Sequence, residues 1–228
     1  MSLRGPKLLA LAALATAALA QGRPERFDYA VRNDFFAGFS GNQEAFQRAM
    51  KTTEGVLAQN PKHAEALVWH GAGLFSLAGQ AFRQQDVNQG RELYDKAVKE
   101  MDEAVALEPD NIGVRIPRGA VLMVASRNMP PAIAKPLLER ALSDYEHAFE
   151  LQSSYLDKLG AHPKGELLSG IAEGHLRTGD QEKASVFFER VVKELDGTPY
   201  QRRAAAWLEK PGQFAQGQSF TCIGCHAK

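Results

Sequence analysis

The sequence carries no net charge: lysine plus arginine number 27, and so do aspartate plus glutamate. No basic field therefore marks nucleic acid or an anionic membrane as the main partner. Neither a phosphate-binding glycine loop, nor Gly-x-Ser-x-Gly, nor His-Glu-x-x-His occurs. The common signatures of nucleotide, serine-hydrolase and zinc-protease chemistry are missing with them. Paired carboxylates such as Asp102-Glu103 stand on a repeating charged helix face, where solvation accounts for them better than catalysis does. No substrate pocket is readable, so the chain is not expected to be an enzyme. Stretches that alternate apolar and polar residues are few, which excludes a sheet. Cysteine is scarce, with only two in 228 residues, both in one short segment. What is present is ordinary for a folded chain: 44% hydrophobic and 24% charged residues, too apolar for disorder. The length allows one or two domains.

Only one long apolar run exists, and it stands at the start. Arg4 and Lys7 precede a Leu/Ala run from Leu8 to Leu19 broken only by Thr16, and Ala18-Leu19-Ala20 offers small residues at a cleavage site. This is the pattern of a signal peptide over residues 1–20. As a helix the run would span roughly 18 Å, short of a hydrocarbon core of about 30 Å. No stable membrane insertion is expected. Without Arg4 and Lys7 the 27 basic residues fall to 25 against 27 acidic ones. The expected location is periplasmic or secreted.

From about Phe35 to Leu208 apolar residues recur at intervals of three and four, the helix period. Asn60-Pro61, Glu108-Pro109-Asp110-Asn111, Met129-Pro130-Pro131, His162-Pro163 and Thr198-Pro199 break the pattern. The segments repeat one another. Ala97, Met101, Ala104 and Pro109 set a series that Ala141, Tyr145, Ala148 and then Ala184, Phe188, Val191 take up again. Gly179-Asp180 precedes Ala184 as Gly41-Asn42 precedes Ala45 and Ala49. This series resembles the second helix of the tetratricopeptide (TPR) family. The resemblance implies an all-α, TPR-like helical-hairpin solenoid of about four hairpins over residues 41–210. Small residues would let paired helices approach, and large ones would fill the space between hairpins.

The spacing departs from that pattern. Ala172 and Ala184 are 12 residues apart, but Gly71 and Ala97 are 26 apart and Gly119 and Ala141 are 22 apart. Longer helices or inserted turns are expected at Ala81–Gly90 and Arg127–Pro136. Residues 21–40, with Phe35, Phe36 and Phe39, read as an N-terminal cap. A capping helix from Pro199 to Lys210 presents Ala204, Trp207 and Leu208 to the last hairpin. Residues 211–228 read as a flexible tail, with a Gln/Gly-rich tether from Gln213 to Ser219.

Both cysteines lie in Cys222-Ile223-Gly224-Cys225-His226. The spacing resembles the haem-attachment sequence of c-type cytochromes. The resemblance implies one covalent haem c, with Cys222 and Cys225 as thioethers and His226 as proximal iron ligand. Two other readings stay open. Exported cysteines often form a disulfide, and two thiolates with one imidazole supply three of the four ligands a closed zinc site needs. Only Ala227 and Lys228 follow His226, so the tail cannot enclose a haem by itself. The cofactor would lie against the repeat body, dock in another subunit, or stay exposed, and exposure favours a lower potential.

Candidates for a distal ligand are His63, His70, His147, His162, His175 and Met129, with His162 preferred. His70 and His175 fall at core positions, and His147 faces outward. Val68 and Phe75 stand at groove-facing positions of the helix that bears Trp69, where a peptide or a haem edge could rest. The leading expectation is a periplasmic monohaem c-type cytochrome on a TPR scaffold, exchanging electrons with a docked redox protein. A homo-oligomer through haem docking is a further option. The alternative is an exported protein-interaction scaffold, with a peptide in its groove and Cys222/Cys225 in a disulfide or metal site.

Overall fold

The structure is a computed structural model that describes residues 26–211. The expected signal peptide, residues 1–20, and the motif from Cys222 to His226 lie outside the described residues. Nine α-helices and no strand are found among the described residues. They are α1 (Asp28–Phe39), α2 (Gln43–Gln59), α3 (Ala64–Arg83), α4 (Val87–Leu107), α5 (Ile112–Ala125), α6 (Pro131–Gln152), α7 (Ala161–Thr178), α8 (Gln181–Glu194) and α9 (Pro199–Glu209). They pair in sequence: α1 with α2, α3 with α4, α5 with α6, α7 with α8, and α9 closes on α8. The architecture is an all-α, TPR-like solenoid of four hairpins and a capping helix.

The turns show why the helices stop where they do. Gly41, Gln85 and Gly179 have φ of 109°, 65° and 94°. In each case the next residue, Asn42, Asp86 or Asp180, caps the following helix by accepting an N–H three positions on. The same residue sends its own N–H back to a carbonyl of the preceding helix: Ala37, Ala81 or His175, at 2.9 to 3.0 Å. One backbone motif, left-handed residue then cap, thus closes hairpins one, two and four. In hairpin two it holds Gln85 in a conformation that glycine adopts without strain. Hairpin three instead uses a 3-10 turn, Ser126–Asn128, before Pro130-Pro131.

The repeated series is the core. Ala97, Met101, Ala104, Ala141, Tyr145, Ala148, Ala184, Phe188 and Val191 are all at most 1% exposed. A Cβ on Gly71 would lie 2.8 Å from Met101 and 3.0 Å from the Ala97 carbonyl, and one on Gly119 would lie 3.2 Å from the Tyr145 ring. The Gly71/Ala97 and Gly119/Ala141 pairs therefore face each other across their crossings despite their long separations in sequence. In the second hairpin the extra residues lengthen both helices. From Gly71 to the end of α3, and from the start of α4 to Ala97, each arm carries about two turns more than the fourth hairpin does. Splitting the insertion between antiparallel arms preserves the crossing. Near the tip Phe82 lies over Gly90, where a Cβ would come within 2.6 Å of the ring.

The N-terminal boundary differs from the sequence expectation. Residues 28–39 are not a cap but the first helix of hairpin one, packed on α2 and α3. Val31 and Phe35 are at most 1% exposed, and Phe35 stacks on Trp69 with centroids 5.4 Å apart. Phe36 meets the same indole edge-on. At the other end Trp207 is 2% exposed and lies 4.6 Å from Phe188 between centroids, so α9 covers the last hairpin as expected.

Candidate functional site

Neighbouring first helices touch one another, α1 on α3, α3 on α5 and α5 on α7, whereas the second helices pack mainly within their hairpins. The stack therefore curves with the first helices inside. Val68, expected to face the groove, is fully buried. It belongs to the core, because α3 is covered by α1, α2, α4 and α5 at once. Phe75 is half-buried and packs on Tyr94 of its own hairpin, with centroids 5.4 Å apart. Near the tips of the first two hairpins a cleft of about 390 Å³ is lined by Gly38, Phe39, Gln43, Ser76, Gln80 and Arg83. Its amides and guanidinium suit hydrogen bonding rather than bond-breaking chemistry.

Charged clusters seal the joints between hairpins. Asp144 on α6 is fully buried and receives two bonds from Arg118 on α5, at 2.7 and 2.8 Å, and one from Arg115 at 2.9 Å. Arg118 also reaches Asp102 on α4 at 2.9 Å, and Asp102 accepts from Arg140. Asp102 is thus a joint residue and not merely part of a solvated face. Burial alone would lower the Arg118 pKa, but its bonds to Asp144 and the charges of Asp144 and Asp102 hold it above the ordinary value. At the next joint Glu173, 1% exposed, receives Arg127 and Arg177. Arg177 also donates to the Met123 carbonyl and the Ser126 hydroxyl, each at 2.8 Å. Its pKa is pushed down, first by burial and also by the charge of Arg127.

A third cluster gives a pH test. Lys164 of α7 donates to Asp157 at 3.2 Å and to Glu194 of α8 at 3.0 Å, and Arg190 donates to Glu194 at 2.9 Å. Burial raises the Glu194 pKa, but Arg190 and Lys164 outweigh it and hold the carboxyl below 4.5. A carboxyl depressed on folding adds stability above its unfolded value and loses it as pH falls through the folded value. Thermal melts of wild type and Glu194→Gln should therefore differ at pH 7 and draw together as the pH falls below 4.5 through the carboxyl's depressed range. Equal melting temperatures at pH 7 would show that the cluster contributes nothing.

Each histidine of the described residues has a distinct setting. His70 and His175 are buried, 6% and 5% exposed. His70 Nδ1 lies 2.6 Å from Glu100, with Glu54 3.9 Å from Nε2. His175 Nε2 lies 3.2 Å from Glu146, and Phe187 stacks on the ring. His147, expected outward, has its Nε2 2.7 Å from Asp110. His63 caps α3 by accepting the Ala66 N–H at 3.2 Å. His162 stands exposed in the first turn of α7 with Nδ1 3.0 Å from the Tyr200 hydroxyl of α9. Met129 is partly buried against the core. Among the described residues no group of three or more His, Cys, Asp or Glu could hold a metal ion, and no helix is long and apolar enough to cross a membrane.

Paired helices, an inner row of first helices and a terminal cap define a TPR-like helical repeat. A solved structure with this arrangement is a thermophilic TPR protein of Thermus thermophilus, to which this chain is similar with a TM-score of 0.55 and 17% identity, covering 78% of each chain. No protein-family model matches the chain, and no curated protein matches it.

Proposed function

We propose that the protein is an exported monohaem c-type cytochrome built on a TPR-like scaffold, carrying one electron at a time between redox proteins that dock on it. The observation that carries this reading is Cys222-Ile223-Gly224-Cys225-His226, which holds both cysteines of the chain. The Leu/Ala run after Arg4 and Lys7 agrees with it, since haem is attached outside the cytoplasm. Each thiol, Cys222 and Cys225, adds across one vinyl group: a sulfur–carbon bond forms, the thiol hydrogen passes to the neighbouring carbon, and no oxidant is needed. His226, next to Cys225, supplies the proximal imidazole. When bound, the haem supplies a one-electron couple; the repeat body supplies the surface on which a partner is oriented. Intact mass and a visible spectrum test this on protein made in a cell that matures cytochromes c. The expected result is a mass gain of one haem and a Soret band that survives denaturation. A colourless protein two hydrogens lighter than the reduced chain would replace the haem with a disulfide.

The TPR-like fold favours a second reading. Helical-repeat solenoids offer extended surfaces for peptides and proteins, and a fold does not by itself name an activity. On this reading the protein is an interaction scaffold, and Cys222 and Cys225 form a disulfide or bind a metal. The same mass and spectrum separate the two.

A further inference from the structure

We propose that the cleft between the tips of hairpins one and two binds a single carboxylate carried on an apolar chain, with Arg83 holding the charge and Phe39 covering the carbons. The site does not depend on haem.

The cleft follows from unequal helix lengths. Phe35 of α1 stacks on Trp69 of α3, and its ring lies 3.0 Å from where a Cβ on Gly73 would stand. Helix α1 ends four residues after Phe35, at Phe39, whereas α3 runs ten residues past Gly73, to Arg83. Both are first arms of their hairpins and run the same way. Helix α3 therefore outruns α1 by nearly two turns, roughly 9 Å. On that overhang Ser76, Gln80, Arg83 and Gln84 stand at i, i+4, i+7 and i+8, one stripe of a helix. Gly38, Phe39, Gly41 and Gln43 form the opposite wall, and about 390 Å³ lies between.

The polar groups of this stripe are open to a ligand. Among the described residues the side chains of Gln43, Ser76, Gln80, Arg83 and Gln84 make no hydrogen bond or ion pair with the chain. Thr52, Thr53, Thr178 and Ser185 return their hydroxyls to the carbonyl four residues back, and Ser76 does not. The joint arginines Arg118, Arg127 and Arg177 bind carboxylates of the chain itself. Arg83 binds none. Its Nη1 lies 3.4 Å from where a Cβ on Gly79 would stand, so the guanidinium lies down along α3. No aspartate or glutamate lines the cleft.

The apolar wall is held in place. Phe39 is 41% exposed, yet its ring stacks on Phe35 at 5.6 Å and meets Phe46 at 6.2 Å between centroids, and both of those rings are buried. A ligand meets a fixed aromatic face beside one guanidinium and several amides.

That chemistry selects the ligand class. A guanidinium presents a fork of N–H donors that matches the two oxygens of a carboxylate. One positive group offsets one negative charge, which favours a carboxylate over a doubly charged phosphate monoester. The amides and the Ser76 hydroxyl supply further donors. A free small acid and a glutamate side chain of a docked segment both carry the required group.

The test reads the NMR signals of the Arg83 Nε–H and of the Gln43, Gln80 and Gln84 side-chain amides on the full-length protein. The probes are butyrate and capped Ala-Glu-Ala, each against its uncharged counterpart, butyramide and capped Ala-Gln-Ala. The acids should shift these signals and the amides should not; the tighter acid names the source. Arg83→Ala should keep the wild-type melting temperature and weaken binding roughly ten- to hundredfold, the worth of a hydrogen bond to a charged group. Gln80→Glu should abolish binding, because its own carboxylate stands one turn from Arg83. Lys135→Ala removes the same charge at an exposed site on α6 and should bind as wild type does. No shift at millimolar acid, equal shifts with the amides, or wild-type affinity in Arg83→Ala would overturn the site.

Discussion

Replacing Asp144 by alanine should lower stability by about 3–5 kcal/mol, the usual result of removing one partner from a buried ion pair. The carboxylate is fully buried and takes three bonds from Arg115 and Arg118. Without it two guanidinium groups stay in the joint between hairpins two and three, and only Asp102 on α4 remains near Arg118. Urea unfolding of the variant would measure the loss. A control sharpens the assignment: Asp144→Leu combined with Arg118→Leu should cost less than either change alone, because exchanging a buried pair for packed apolar groups is often close to neutral. A double variant as unstable as the sum of the two single ones would show that the residues act independently.

Tyr145→Ala should be of similar size, about 3–5 kcal/mol, for a different reason. The ring is fully buried, and it lies against two glycines: a Cβ on Gly119 of α5 would be 3.2 Å from it, and one on Gly170 of α7 would be 2.4 Å away. One side chain on α6 thus fills the space between its own hairpin and the next. Its hydroxyl also donates to Glu166 at 2.8 Å. Truncation leaves a cavity at a joint, and glycines offer no side chains to collapse into it. Hydrogen exchange should show α7, α8 and α9 losing protection well before α1 to α4. Uniform loss along the whole chain would mean that the solenoid unfolds as one unit and that Tyr145 is no special joint. Tyr145→Phe should cost less, about 1.5–3 kcal/mol, the worth of one hydrogen bond to a carboxylate.

The Ala–aromatic–Ala series made the second helices legible in sequence, since each series is a stripe at helical spacing that must be buried. Prolines and Gly-Asn or Gly-Asp pairs marked most of the turns. Helix α1 was not legible as a hairpin arm, because its buried face rests on little more than Val31 and Phe35 among polar neighbours. Val68 was misplaced because α3 is buried on several sides, where periodicity no longer says which face is open. The charged joints were missed, although Asp144 gave a signal. It sits with Ala141, Tyr145 and Ala148 on the inward stripe, where a carboxylate needs a cationic partner. The cysteine motif was read from sequence alone and lies outside the described residues. His162 was preferred to His63 only because it stands closer in sequence to the last repeat, and both stand beside helix-starting turns. The structure gives the two Nδ1 atoms different neighbours, the Ala66 N–H for His63 and the Tyr200 hydroxyl for His162.

The wiring of the stack also sets how the chain finds its fold. Among the described residues, the main contacts join helices of one hairpin or of adjacent hairpins. No early step has to bring distant parts of the chain together, so little loop-closure entropy opposes the first contacts. Folding should be fast for a chain of this length. It can begin at any hairpin and spread to either side. The long α3/α4 pair buries the most continuous face and is the natural starting point. From there growth runs in both directions and ends at α9, the last helix to dock and the one that leads into the tail.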